Sequence, residues 1–353
     1  MRAAVIQRQA EPGQSIAQNI TVTHDWPEPP APGPGHATVR TLAASLNHLD
    51  LWVARGVPGL SLAYPRVSGS DACGVVEAVG PGIDPAWVGR KVVLNAAIDM
   101  AGHCSPDEPP RSSLAPMYEL IGEHHMGALA EKFNAPVNNL QPVGEDADPV
   151  DASAFALGFL TAYSGIVTKA GLRAGQTVLV TGIGGGVAVA ALAIAKHIGC
   201  PVAVTSRHQW KLDRAKSLGA DLCVLDDGGD WSKAVRAWTK SRPGGGVDLA
   251  FDSSGKATHI KCIKSLARGG AYVTPGCTSG ADATTDLARL FWNQLRLLGS
   301  TMGSCSEFAE IVALYRAGKL KPVVDQVFNL DQAADAYTRL DKGEQFGKVV
   351  IKF

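Results

Sequence analysis

The sequence has no surplus of either charge: 33 lysines and arginines face 33 aspartates and glutamates. A chain without a net field does not gather nucleic acid or an anionic membrane around itself, and no basic run or aromatic-basic interleaving supplies one locally. Nucleic acid and membrane are therefore not expected as partners, and a small molecule is. Paired cysteines are missing as well. The seven cysteines, at positions 73, 104, 200, 223, 262, 277 and 305, never stand as C-x-x-C. Neither a disulfide framework nor a thiolate zinc cluster is read from them, and reduced thiols are expected. No uninterrupted apolar run approaches the roughly 20 residues that span a bilayer. The opening Met1-Arg-Ala-Ala-Val-Ile6 is strand-like, not a basic segment followed by a long apolar one. The expectation is a soluble, cytoplasmic protein. Low-complexity tracts are absent too.

What is present is glycine in one telling place. Val178-Leu-Val-Thr-Gly-Ile-Gly-Gly-Gly-Val-Ala188 is an apolar strand running into a glycine cluster and then an apolar helix to 198. Gly182, Gly184, Gly185 and Gly186, with Val187, let a pyrophosphate approach bare N–H groups at the positive end of a helix. The pattern G-x-x-G-x-x-A is weak alone. The apolar run 201–205 strengthens it, because it ends about where a second strand presents its ribose-reading residue, roughly 20 residues after the first glycine. The expected ligand is a dinucleotide.

The two parts of the chain differ in grammar. Up to about 150, strand-like segments at 3–7, 37–45, 72–79 and 91–94 alternate with proline and glycine punctuation. From 151 onward strands and helices alternate, with strands at 178–181, 202–205, 222–225, 247–251, 271–274 and 295–301 and helices between them. That alternation predicts an α/β doubly wound parallel sheet.

Leu46-Asn-His-Leu-Asp50, Gly69-Ser-Asp-Ala-Cys-Gly-Val-Val-Glu-Ala-Val-Gly80, the glycine corner, Lys216-Ser-Leu-Gly-Ala-Asp221 and Phe346-Gly-Lys-Val-Val350 occur in this order. Together they resemble the medium-chain dehydrogenase/reductase superfamily, and its zinc-free quinone oxidoreductase branch in particular. The resemblance covers nearly the whole chain. It implies a β-rich GroES-like catalytic domain from 1–150 and 302–353, flanking a Rossmann domain at 151–301. In the zinc members, a cysteine of a C-x-x-D segment, a histidine of G-H-E and a cysteine or aspartate just before the Rossmann domain hold the metal. The matching places here are Asn47, Ser70 and, approximately, Leu157. An amide, a hydroxyl and an alkyl group do not make a zinc site, so no catalytic zinc is expected. The region matching the structural-zinc lobe holds only Cys104; His103, Cys104, His124 and His125 lack fixed ligand spacing and read as ordinary loop residues.

The end of the second Rossmann strand favours NADPH over NADH. Where an acidic residue would accept the ribose hydroxyls, the chain reads Thr205-Ser206-Arg207, with Lys211 one turn further on. A guanidinium fork suits a 2′-phosphate. By resemblance, Thr161, Ser253, Gly276, Cys277 and Lys348 are further cofactor contacts, Lys348 reaching towards the pyrophosphate, and His48 matches a phosphate contact of some relatives. For chemistry, Asn47 is a candidate donor to an oxyanion, and His48, Asp50 and Tyr64 are candidate proton sources. Other roles stay open: Asp50 bracing its loop, Asn47 capping it, Asp71 supporting it, and water as the proton source.

Without a metal the substrate must carry its own charge stabilisation. A saturated alkoxide has a conjugate acid near pKa ~15.7 and a phenolate one near ~10, a difference worth roughly 8 kcal/mol. The expected reaction is NADPH-dependent hydride transfer to a quinone or an α,β-unsaturated carbonyl. A zinc-type alcohol dehydrogenase and a non-catalytic NADPH-binding protein are the alternatives. A homodimer joined through the strand at 295–301 is expected.

Overall fold

The computed structural model describes residues 1–99, 112–115, 117–242 and 244–353. The chain divides into two units, Met1–Leu157 with Gly303–Phe353, and Gly158–Met302. His103 and Cys104 lie outside the described residues.

In the first unit the ten-residue strand His36–Ser45 is the hub. It pairs antiparallel with Ala72–Val79, Lys132–Pro136 and the carboxy-terminal Lys348–Lys352. The terminal strand is laid down by Val350 opposite Ser45 and Ile351 opposite Ala44. Phe346, Val349, Val350 and Ile351 are all fully buried, so apolar burial fixes that register. Val324–Asn329 then adds in parallel on its far side. A smaller sheet sets Ala3–Ile6 between Ile20–Thr23 and Arg66–Val67.

The second unit holds a six-stranded sheet, parallel throughout. Its order is Leu222–Leu225, Val202–Ser206, Val178–Val180, Val247–Phe251, Leu266–Thr274 and Arg296–Gly299. Numbered along this unit the order is 3-2-1-4-5-6, the doubly wound arrangement whose crevice lies at the carboxyl ends of the strands. Val178–Val180 and Val202–Ser206 are buried from end to end, as strands covered on both faces must be. One strand is longer than its pattern suggests. Leu266–Thr274 begins at Leu266 opposite Val247 and resumes at Ala271 opposite Leu249. The intervening residues, with Gly269 at φ +75°, make a bulge that reads in sequence as a turn.

One long helix and one cysteine bear on the sequence expectations. The helical run Pro149–Lys169 is 21 residues long and apolar enough to cross a membrane by length and composition. Since 78% of its most apolar window is buried within the protein, it is a core helix. Among the cysteines, 73, 200, 223, 262 and 277 are free thiols, but Cys305 is disulfide-bonded, so the expectation of uniformly reduced thiols fails at that position.

Candidate functional site

In the Rossmann unit the glycine corner has the predicted build. Gly182 and Gly184 take φ values of +62° and +120°, which a side chain would oppose. A Cβ on Gly184 would also stand 2.7 Å from Cδ of Lys211. The Ile183 N–H bonds the Thr205 carbonyl at 2.9 Å, tying the corner to the second strand. Gly185, Gly186 and Val187 stay partly exposed where the helix Gly186–Ile198 begins, so its unpaired N–H groups face outward. Thr205 and Ser206 are buried at the strand end, Arg207 is exposed beyond them, and the Lys211 ammonium lies 5.2 Å over the Trp210 ring. Thr205 and Lys211 thus both border the corner, with Ser206 and Arg207 following Thr205.

Of the remaining expected cofactor contacts, Ser253 and Gly276 lie side by side, a Cβ on Gly276 standing 3.5 Å from the Ser253 carbonyl oxygen. The Thr161 hydroxyl lies 3.6 Å from the Met302 sulfur. The Ser253 carbonyl accepts the Thr278 N–H at 3.2 Å. Gly276 and Cys277 line a cavity of about 300 Å³ with His259, Tyr272 and Thr274. Sequence reasoning passed over Asp252, the residue on which this region hangs. Its fully buried carboxylate accepts the hydroxyls of Thr181 at 2.5 Å, Thr258 at 2.8 Å and Tyr272 at 3.0 Å, and the Ser254 N–H at 2.9 Å. Burial, then the adjacent Asp252 charge, pushes the Tyr272 phenol well above its ordinary range, which keeps it a donor. An acid immediately after an apolar strand was the available signal.

The other cluster lies wholly in the first unit. Asn47, Ser70 and Leu157, the three places matched to metal ligands, do come together, and they do so around Asp71. Its Oδ1 accepts the Leu157 N–H at 2.7 Å, and its Oδ2 accepts the Asn47 amide at 2.9 Å and the Ser45 hydroxyl at 3.2 Å. The Lys348 ammonium, 2.8 Å from the same Oδ2, also donates to Asn47 Oδ1. The second amide proton of Asn47 points to Ser70 Oγ at 3.4 Å. Asn47 is therefore engaged at both ends of its amide. Lys348, expected near the pyrophosphate, is held in this cluster, with its side chain only 5% exposed and that of Asp71 0%.

This donor set does not fit the zinc of the family. Asn47 Oδ1 and Asp71 Oδ2 already face an ammonium, and at Leu157 the group turned to the cluster is an N–H. Among the described residues no group of three His, Cys, Asp or Glu side chains gathers. His124 pairs with Glu123 at 3.3 Å and His125 with Glu119 at 2.5 Å.

The candidate proton sources are placed unequally. His48 is exposed in the first turn of the helix His48–Arg55. The Tyr64 phenol donates to the Val53 carbonyl at 2.5 Å. Asp50 is buried, and its carboxylate braces the loop by accepting the N–H groups of Asn47 at 2.7 Å and Gly69 at 2.8 Å. Burial raises the Asp50 pKa to about 6, against the pull of the Asn47 N–H, the Ser68 hydroxyl, the Lys348 charge and the Gly69 N–H. A carboxyl with a raised folded-state pKa contributes stability below its unfolded pKa and loses it as pH rises through the folded value. Wild type is thus expected to lose about 3 kcal/mol relative to Asp50→Asn between pH ~4 and ~7, measured by urea unfolding at each pH. A pH-independent difference would show that burial does not strain this carboxylate.

Comparison with known proteins adds the following. Residues 186–317 match the model described as "Zinc-binding dehydrogenase", and residues 33–145 that described as "Alcohol dehydrogenase GroES-like domain". The chain is 31% identical over 337 residues to the zinc-type alcohol dehydrogenase-like protein YogA of Leptosphaeria maculans, covering 92% of each. It is 27% identical to a crotonyl-CoA reductase of Streptomyces avermitilis, covering 99% of this chain and 85% of that one. A crystal structure titled NAD-dependent alcohol dehydrogenase superposes with a TM-score of 0.90 at 40% identity, over 100% of both chains. These similarities correct the expected placement in the zinc-free quinone oxidoreductase branch, because they run to alcohol dehydrogenases of the zinc type.

Proposed function

The chain belongs to the zinc-type alcohol dehydrogenase family of the medium-chain dehydrogenase/reductase superfamily, and from that premise we propose that it is a member that transfers hydride without a catalytic metal. It is an NAD(P)-dependent oxidoreductase. The observation that carries the metal-free reading is the occupation of the metal-ligand places by an amide, a hydroxyl and an N–H gathered on the Lys348–Asp71 ion pair. Arg207, Ser206 and Lys211 at the end of Val202–Ser206 favour NADPH.

NADPH, which the glycine corner and Arg207 would hold, would supply a hydride whose electron pair forms a new C–H bond on the acceptor. In an α,β-unsaturated carbonyl the displaced π electrons end on oxygen as an enolate, and in a quinone as a phenolate. Either anion is far less basic than a saturated alkoxide, by roughly 8 kcal/mol for the phenolate. Water supplies the proton. The crotonyl-CoA reductase relative is named for an α,β-unsaturated thioester, the same acceptor chemistry. The alcohol dehydrogenase names of the other relatives favour the second reading, zinc-assisted interconversion of an alcohol and a carbonyl.

The partner is a small molecule, not nucleic acid or membrane, and the cytoplasm is the proposed location. A second copy of the chain is the proposed neighbour of the edge strand Arg296–Gly299. That strand has one partner in its sheet, and Phe291 and Trp292 beside it in sequence are each 70% exposed.

The test follows nicotinamide oxidation by chelator-treated protein with an ortho-quinone, an enone and a saturated aldehyde, each with NADPH and NADH. Turnover of quinone or enone but not aldehyde, faster with NADPH, is expected. Aldehyde reduction that disappears with the metal and returns with zinc would replace this reading by the second one. Tight NADPH binding with no turnover of any acceptor would make the protein a non-catalytic binder.

A further inference from the structure

We propose that the ammonium of Lys348 is the fixed cation of this centre, taking the place of the family's metal and donating an N–H to the substrate oxygen on which charge develops. The inference rests on the metal-free reading above. An ammonium has three N–H groups. One goes to Asp71 Oδ2 and one to Asn47 Oδ1, and the third has no acceptor among the described residues.

The lysine is held in place before any ligand arrives. Its strand pairs antiparallel with His36–Ser45, and the Leu46 N–H bonds the Val349 carbonyl at 2.9 Å, which brings the start of the strand beside Asn47. Gly347 precedes it at φ +103°, where a Cβ would stand 2.1 Å from the Val323 carbonyl oxygen, so the approach to the strand admits only glycine. Asp71 in turn is locked by the Leu157 N–H and the Ser45 hydroxyl. Asn47 and Asp71 thus both face one cation that lies 277 residues beyond Asp71 in the sequence, and Leu157 and Ser45 hold Asp71 from behind. A charge oriented in advance in a dry site stabilises a transition state without reorganising during the reaction.

The electron balance needs no further reagent. The hydride brings two electrons to the β-carbon of an enone, the C=C pair shifts to form the enolate C=C, and the C=O pair moves onto oxygen. The Lys348 N–H holds that oxyanion. A proton from water then completes the product at the α-carbon, and the lysine remains an ammonium throughout.

The test compares wild type, Lys348→Met, Lys348→Ala and Lys348→Met/Asp71→Asn, all chelator-treated, with an enone and NADPH. The double variant keeps the cluster neutral, so it reports even where the single variant, left with an unpaired buried carboxylate, does not fold. The expected result is a fall in kcat of about 10²- to 10³-fold. The NADPH dissociation constant, from nucleotide fluorescence, is expected to stay near the wild-type value, and ethylammonium is expected to restore part of the rate in Lys348→Ala. A folded double variant with wild-type kcat would overturn the proposal and leave Lys348 a structural brace. Weakened NADPH binding with undiminished kcat at saturation would also overturn it, and would return Lys348 to the pyrophosphate. Failure of the underlying reading is distinguishable, because it appears in wild type alone as activity lost to the chelator and recovered with zinc.

Discussion

Asp71→Leu is expected to lose about 3–5 kcal/mol of stability in urea unfolding, the loss typical of breaking a buried ion pair from one side. The substitution takes away more than a charge partner. Lys348 keeps its ammonium in a site where its side chain is 5% exposed, and the Leu157 N–H and the Asn47 amide lose their acceptor together. The denaturant midpoint should fall without a change in slope, since the surface exposed on unfolding stays much the same. Asp71→Asn retains an oxygen for one donor and should fall between wild type and the leucine variant. A leucine variant within about 1 kcal/mol of wild type would mean that the pair is poorly placed and that apolar packing replaces it without loss.

Asp252→Leu should produce a comparable loss in the Rossmann unit, with a different functional signature. Three hydroxyls and a backbone N–H would be left without their acceptor, and each unmade buried hydrogen bond costs roughly 1–3 kcal/mol. Relaxation and water entry recover part of that, so a net loss of about 3–5 kcal/mol is expected. Thr181 leads directly into Gly182, and Tyr272 comes from a neighbouring strand, so the carboxylate ties the glycine corner to the carboxyl end of the sheet. NADPH binding should weaken at least tenfold at a temperature where the variant is still folded, as read by nucleotide fluorescence. Undiminished affinity would limit Asp252 to a purely structural part.

The two variants probe features of unequal visibility in the sequence. Gly182, Gly184 and the run after them declare the cofactor corner because positive φ and a bare helix start are local requirements, met within a dozen residues. The parallel, doubly wound character of the Rossmann sheet follows from the same local alternation of strand and helix. The helix Pro149–Tyr163 left no such trace. Its apolar residues form no single stripe, since nearly every side is buried, and periodicity marks only helices with a wet face. The bulge within Leu266–Thr274 was hidden for a similar reason: an Arg-Gly-Gly step looks like a turn until the neighbouring strand shows that pairing resumes beyond it.

At the site, the amino-acid sequence by itself determined which side chains stand at the ligand places. Asn47, Ser70 and Leu157 at the ligand places are an amide, a hydroxyl and an alkyl group, and ligand chemistry belongs to the side chain and not to the fold. Only the tertiary structure decided which charges meet there. Lys348 and Asp71 are 277 residues apart, and nothing near either one announces the other. Their meeting depends on the register of the last strand against His36–Ser45, which is set by the burial of Phe346, Val349, Val350 and Ile351. Composition and spacing act over a few residues, whereas a buried ion pair is selected by the whole core that closes around it.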